Sequence, residues 1–83
     1  MSKAGGAMPL YGFVAGDTLG VVVLVRPEET FRDLAARLAE AASVRVAGKG
    51  RGRIVVKGRV IDPKTTVRSE GLTPLDRVDL VWT

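Results

Sequence analysis

One amphipathic helix constrains this chain more than any other feature. In the segment PEETFRDLAARLAEAAS, apolar residues recur at helical spacing at Phe31, Leu34, Ala35, Leu38 and Ala42. Thr30 is predicted to cap the helix, with Asp33 three residues later in a variant of the capping box, and the helix is expected to end near Ser43. The charged residues of the opposite face are expected to meet water: Arg32, Asp33, Arg37 and Glu40. A lone helix must bury its apolar stripe against another element, and one face of a sheet can do this.

Two strands are predicted before the helix. Apolar stretches flank Gly16-Asp17, a pair that favours a turn, so a hairpin is expected. Its second strand, residues 19–26, is rich in valine. One side of this strand is predicted to carry Leu19, Val21, Val23 and Val25, and the other Gly20, Val22, Leu24 and Arg26.

The segments after the helix predict two more strands. RIVVKGRVI is interpreted as a third strand broken by Gly58, with Ile54 and Val56 on one face. The opposite face of that strand is expected to hold Arg53, Val55 and Lys57. DPKTT is typical of a turn, and VRSEGL of a single helical turn closed by Gly71. RVDLVW is the last strand, with Val78, Leu80 and Trp82 predicted to face or border the core.

The order β-β-α-β-(turn)-β indicates an α+β fold of the β-grasp type. We expect a mixed sheet of four to five strands with one main helix packed across one face. Eighty-three residues are enough for a single small domain. Residues 1–8 are predicted to be a disordered arm and residues 9–83 the folded domain.

Composition argues against most catalytic classes. The chain has no cysteine and no histidine, which removes thiolate chemistry and the commonest general base and metal ligand. Its nine acidic residues are scattered, and no pair sits in an apolar setting. We therefore predict no catalytic, cofactor-binding or metal-binding residues and no cofactor. No apolar run is long enough to span a bilayer and no signal segment is evident, so a cytoplasmic protein without a membrane partner is expected.

Several segments resemble ubiquitin-like proteins. VRPEETFRDLAARL resembles their passage from strand two through a proline and a threonine cap into the helix, and TTVRSEGL with DRVDLVW resembles their short helix and closing strand. More narrowly, MPLYGFVAGDTLGVVVLVRPEET and TVRSEGLTPLDRVDLVW are similar to the opening and ending of the toluene-4-monooxygenase system protein B family. These are small gamma subunits of bacterial multicomponent toluene and alkene monooxygenases. The resemblance implies a non-catalytic subunit that docks on the larger subunits of a di-iron hydroxylase.

A basic run leaves another function open. The segment RVAGKGRGRIVVKGR contains no acid, and its cations are Arg45, Lys49, Arg51, Arg53, Lys57 and Arg59. Such a cluster can bind a polyanion, or it can be a solvated loop and strand edge. The run lacks aromatic residues that would stack on bases, so nucleic-acid binding is the less favoured interpretation.

A docking surface is predicted on the sheet face opposite the helix. Val22, Leu24, Val55 and Val81 all alternate away from the helix side and are expected to lie on adjacent strands. Arg26, Arg53 and Lys57 are expected to surround them. An apolar centre with a charged rim is the usual anatomy of a protein interface.

The segment VDLVWT stands where conjugated ubiquitin-like proteins have a flexible Gly-Gly tail. We therefore expect no covalent attachment through the C-terminus. Three functions remain open at this point: a hydroxylase subunit, a generic ubiquitin-like adaptor such as one of a secretion system, and a basic nucleic-acid-binding protein.

Overall fold

The computed structural model describes residues 6–46 and 51–82. Along the chain these form β1 (Met8–Val14), β2 (Gly20–Val25), α1 (Phe31–Ala42), β3 (Gly52–Val56), β4 (Arg59–Val60), α2 (Val67–Glu70) and β5 (Arg77–Trp82). The strands make one sheet of five in the order β2-β1-β5-β3-β4. β1 and β5 run parallel, and the other neighbours are antiparallel. With α1 packed across one face, this is the predicted α+β β-grasp.

The start and end of α1 are set by local hydrogen bonds. The Thr30 hydroxyl accepts from the Asp33 N–H at 3.3 Å, and the Asp33 carboxylate accepts from the Thr30 N–H at 3.1 Å. This reciprocal pair is the predicted capping box, which satisfies N–H groups that have no partner within the helix. Ser43 is the C-cap, as expected.

The core lies between α1 and the inner face of the sheet. From the helix it takes four side chains of the predicted stripe: Phe31, Leu34, Leu38 and Ala42. Val78 and Leu80 of the central strand β5 are fully buried beneath them, as predicted. Trp82 packs at the border of this core, and its indole N–H donates to the Ala15 carbonyl at 3.2 Å.

Two details of the predicted strands are wrong. Leu19 precedes β2 and is 54% exposed. It belongs to the turn, where its N–H donates to the Asp17 side chain at 3.2 Å. The third predicted strand is a hairpin of β3 and β4. Lys57 and Gly58 have φ of 52° and 80°, as the two central residues of a type I′ turn require. Lys57 therefore lies in the turn and not on the face of β3.

The first strand begins at Met8, which pairs with Val25. The folded sheet thus starts one residue before the predicted domain boundary. Residues 1–5 of the predicted arm lie outside the described part of the chain. The disordered arm therefore stays a prediction.

Gly12 on β1 generates a test of this packing. A Cβ at Gly12 would lie 2.4 Å from Leu38 Cδ2, and Leu38 is completely buried. Gly12→Ala should therefore destabilise the protein by about 1–3 kcal/mol through overpacking, and Leu38→Ala by about 2–5 kcal/mol. The double variant should lose less than the sum, because the shorter side chain removes the clash. Urea unfolding followed by circular dichroism measures all three, and strictly additive losses would contradict this account.

A candidate docking surface on the open sheet face

The predicted surface residues do not lie on adjacent strands as expected. Val22 and Leu24 are on the edge strand β2, whereas Val55 is on β3 and Val81 on β5. β1 and β5 stand between β2 and β3 in the sheet. The predicted adjacency is confirmed for Val55 and Val81, whose strands are neighbours. It is wrong for Val22 and Leu24, because two strands separate them from Val55.

Side chains of β1 complete an apolar surface around Val22 and Leu24. Tyr11 pairs with Val22 across the two strands, and Phe13 lies two residues farther along β1. We call Tyr11, Phe13, Val22 and Leu24 the β1–β2 patch. Tyr11, Val22 and Leu24 are 43%, 59% and 62% exposed, which is unusual for large apolar side chains on neighbouring positions. The sequence could have indicated the two aromatic members. Leu10 and Val14 face the core, so by strand alternation Tyr11 and Phe13 must face the other side of the sheet.

Gly20 leaves room for the two aromatic rings over β2. It pairs with Phe13, and a Cβ there would come within 2.8 Å of Tyr11 Cε1 and 2.9 Å of Phe13 Cε2. The ring centroids are 5.0 Å apart at an interplanar angle of 40°. The missing side chain is thus replaced by aromatic surface, which keeps the patch continuous across the two strands.

An ion pair divides the open face. On β5, Arg77 Nε lies 3.0 Å from Asp79 Oδ1, and the Arg77 guanidinium sits 4.1 Å from the Phe13 ring centroid. This is cation–π geometry, and it orients the guanidinium against the patch. Beyond the ion pair lies a second apolar group, the valine group, made of Val55, Val60 and Val81. Val60 pairs with Val55 and is 57% exposed.

The three basic residues predicted to surround the patch are spread over the sheet. Arg26 follows β2 and is exposed, and Lys57 is exposed in the β3–β4 turn. Arg53 lies on β3 opposite Val81 and is half-buried. They stand on separate elements, so they border the open face at three points and form no closed ring.

Arg37 was expected to face water, and its side chain is 40% exposed, but it also bonds to β2 from the helix side of the sheet. Its guanidinium donates to the Leu24 carbonyl and to both oxygens of Glu29. Glu29 also accepts from the Arg26 N–H at 2.8 Å. Burial would raise the pKa of Glu29, but the hydrogen bonds from Arg26 and Arg37 outweigh it and hold the pKa below its ordinary value of 4.5.

Ion pairs involve the first and last cations of the basic run. Arg45 Nε contacts the two carboxylate oxygens of Asp17 at 3.0 and 2.9 Å, and this bond holds the pKa of Asp17 below its usual range. Arg59 pairs with Glu70. Lys49 lies outside the described residues. Two of the six cations therefore pair with acids, and because they stand at the two ends of the run, the stretch of cations without acidic partners is shorter than the sequence suggested.

Within residues 6–46 and 51–82, no cluster of three acidic, histidine or cysteine side chains is arranged to hold a metal ion. The helices of that same part of the chain are all too short or too polar to cross a membrane. The expected absence of catalytic residues, cofactor and metal, and the cytoplasmic location, stay predictions.

Comparison with known proteins identifies the family. The model of the family "Toluene-4-monooxygenase system protein B (TmoB)" matches residues 7–82. The chain belongs to this family. Among curated proteins there is no significant match.

Several solved structures share the fold. A chain from the toluene 4-monooxygenase HD complex with the inhibitor 4-bromobenzoate superposes with a TM-score of 0.86 at 23% identity, covering 93% of this chain and 99% of that one. Caldiarchaeum subterraneum ubiquitin superposes with a TM-score of 0.76 at 20% identity, covering 94% and 95%. The ubiquitin-like domain of Plasmodium falciparum Dsk2 gives 0.75 at 23% identity, covering 93% and 99%. The β-grasp is therefore ubiquitin-like.

The Glu29–Arg37 pair predicts a pH dependence of stability. Because the pKa of Glu29 is lowered on folding, its stabilising effect is present above about pH 4.5 and is lost as the pH falls through the lowered value. Glu29→Gln should cost about 1 kcal/mol or less at pH 7, since the pair is partly exposed, and progressively less toward pH 3. Urea unfolding across this range measures the difference. Glu28→Gln, at an exposed neighbour, is the matched control, and an equal loss at pH 3 and pH 7 would contradict the assignment.

Proposed function

We infer that this chain is a non-catalytic small (gamma) subunit of a bacterial di-iron monooxygenase hydroxylase of the toluene and alkene type. It acts by docking non-covalently on the larger subunits, which carry the iron and the oxidation chemistry. Family membership over residues 7–82 supports this proposal. The structural neighbour in the toluene 4-monooxygenase HD complex supports it as well, since that chain has the same fold over almost its whole length.

The observation that carries the docking proposal is the β1–β2 patch. Tyr11, Val22 and Leu24 are large, exposed and adjacent on a rigid sheet. Burying such side chains against a partner gains about 25 cal/mol for each Å² of apolar surface, with no loop to order. Arg77, Asp79 and Arg26 lie around them and supply a polar border. Aromatic and aliphatic anchors within a polar border are typical of protein interfaces.

Leu24→Glu tests the patch directly. A charge introduced at the centre of a buried apolar contact loses its hydration without gaining a partner, which costs several kcal/mol. We expect the variant to lose co-purification with co-expressed larger hydroxylase subunits, by a factor of about a hundred or more in affinity. Its circular dichroism spectrum and thermal unfolding should stay those of the parent, because Leu24 is already 62% exposed. Val44→Glu is the matched control, since Val44 is 86% exposed beyond the end of α1. Retained co-purification of a folded Leu24→Glu variant would remove the patch from the proposal.

Val55→Glu tests whether the valine group belongs to the same interface. Val55 lies opposite Asp79, so the new carboxylate would meet both the partner and a like charge. Loss of co-purification in both variants would indicate docking over the whole open face. Loss with Leu24→Glu alone would confine the interface to the β1–β2 patch. Binding of unrelated proteins in place of the hydroxylase subunits would favour a generic adaptor instead.

A further inference from the structure

The turn before β5 holds a leucine in a backbone conformation that leucine rarely adopts. In the segment Thr73-Pro74-Leu75-Asp76, the Asp76 N–H donates to the Thr73 carbonyl at 3.0 Å, which closes a four-residue turn. Leu75 is the third residue of this turn and has φ of 65°. Proline at the second position and a positive φ at the third are features of a type II turn, in which the third position favours glycine or asparagine.

The Leu75 side chain contributes little to folding. It is 59% exposed, and it is not one of the described side chains that form the core or pack against it. A left-handed backbone brings Cβ close to a carbonyl oxygen, which costs free energy that glycine would avoid. In the described part of the chain, a leucine at this position therefore favours neither the turn nor the core.

Leu75 lies beside one end of the β1–β2 patch. Its N–H donates to the Pro9 carbonyl at 2.7 Å, and Pro9 is the residue of β1 that pairs with Leu24 on β2. Because Leu10 is buried in the core, strand alternation places Pro9 on the open face together with Tyr11. Leu24, Pro9 and Leu75 thus follow one another across the sheet, from the β2 edge to the turn before β5.

The acidic neighbour of Leu75 is engaged within the turn. The Asp76 carboxylate accepts from the Thr73 N–H at 2.9 Å. Leu24, Pro9 and Leu75 themselves carry no charge. An apolar partner surface matches this row, because a charged group buried against it would lose its hydration without gaining a counter-charge.

We propose that Leu75 is a further anchor of the docking interface and enters an apolar pocket on the larger hydroxylase subunit that covers the β1–β2 patch. The inference rests on the proposed function, since it adds a contact to that interface. Little ordering is needed on binding, because the bond to Pro9 and the two bonds between Thr73 and Asp76 already fix the turn. The unfavourable backbone conformation is then the cost of presenting a leucine at this point of the surface.

Leu75→Asn separates binding from folding. Asparagine tolerates a positive φ better than leucine, so the midpoint of thermal unfolding should equal that of the parent or rise by a few degrees. Co-purification with the co-expressed larger hydroxylase subunits should fall by about tenfold or more in affinity, because an apolar side chain is lost from the contact. Leu75→Gly should give the same two results. A purely structural leucine would give the opposite pattern, with lower stability and unchanged binding.

Two matched variants control these measurements. Lys57 is the other described non-glycine residue with a positive φ, so Lys57→Asn should raise the unfolding midpoint by a similar amount and checks the relief of strain. Val44→Asn removes an apolar side chain that is 86% exposed beyond the end of α1. It should leave co-purification unchanged.

Leu24→Glu distinguishes this inference from the docking proposal. Loss of co-purification in both Leu24→Glu and Leu75→Asn supports the anchor role. Loss with Leu24→Glu alone overturns the anchor role and leaves the docking proposal standing, whereas loss with Leu75→Asn alone overturns a continuous interface. Retention in both variants overturns the anchor role together with the docking proposal.

Two further results would overturn the anchor role. A clear drop in the unfolding midpoint of both Leu75→Asn and Leu75→Gly would show that the leucine stabilises the fold. Self-association of the purified parent, measured by sedimentation and abolished in Leu75→Asn, would assign the surface to a second copy of this chain.

Discussion

The packing of one long helix on one face of a five-stranded sheet is the constraint on which the rest of this structure depends. The buried side chains of Phe31, Leu34 and Leu38 on α1 pack against the inner face of the sheet. Because Gly12 has no side chain, Leu38 can approach the central strands closely. The described chain has no second layer for the other face. Large side chains placed there by the alternation of β1 and β2 stay exposed, so the same pattern that builds the core also builds the apolar surface on which the docking proposal rests.

Local features were predictable from the sequence because short-range spacing determines them. The capping box of Thr30 and Asp33, the helix end at Ser43 and the αL turn at Gly71 each depend on residues within a few positions of one another. Strand order, in contrast, is not determined by neighbouring residues. It follows from pairing over long sequence distances, such as that of Tyr11 with Arg77, and alternation within a strand carries no information about its neighbours. For this reason Val22 and Val55 were placed side by side although two strands separate them, and Tyr11 and Phe13 were missed.

Ion pairs are hard to predict from the sequence for the same reason, because they also join residues that are distant along the chain. Arg37, Arg45 and Arg59 find their acids 8, 28 and 11 residues away, in other elements. In the sequence, Arg45 and Arg59 stand at the two ends of a basic run that contains no acid, and Arg37 lies on the polar face of a helix. In the fold, each of the three instead ties one element to another. A run of like charges therefore indicates a polyanion site only when tertiary structure leaves its members without partners.

The ubiquitin-like neighbours share this backbone at identities of 20–23%, so the fold alone does not decide what the chain binds. We propose that side chains on the uncovered face do. A solitary protein with Val22 and Leu24 exposed on an edge strand would invite sheet-to-sheet association, which natural proteins usually prevent with charges on that strand. Here β2 itself reads GVVVLV, without a charge, and the Leu24 carbonyl is covered by Arg37 from the helix. Edge pairing is thus hindered while the apolar face is left intact. This combination suits a surface that is covered face-on by a partner, because it suppresses association through the strand edge and retains the area that a docking partner would bury.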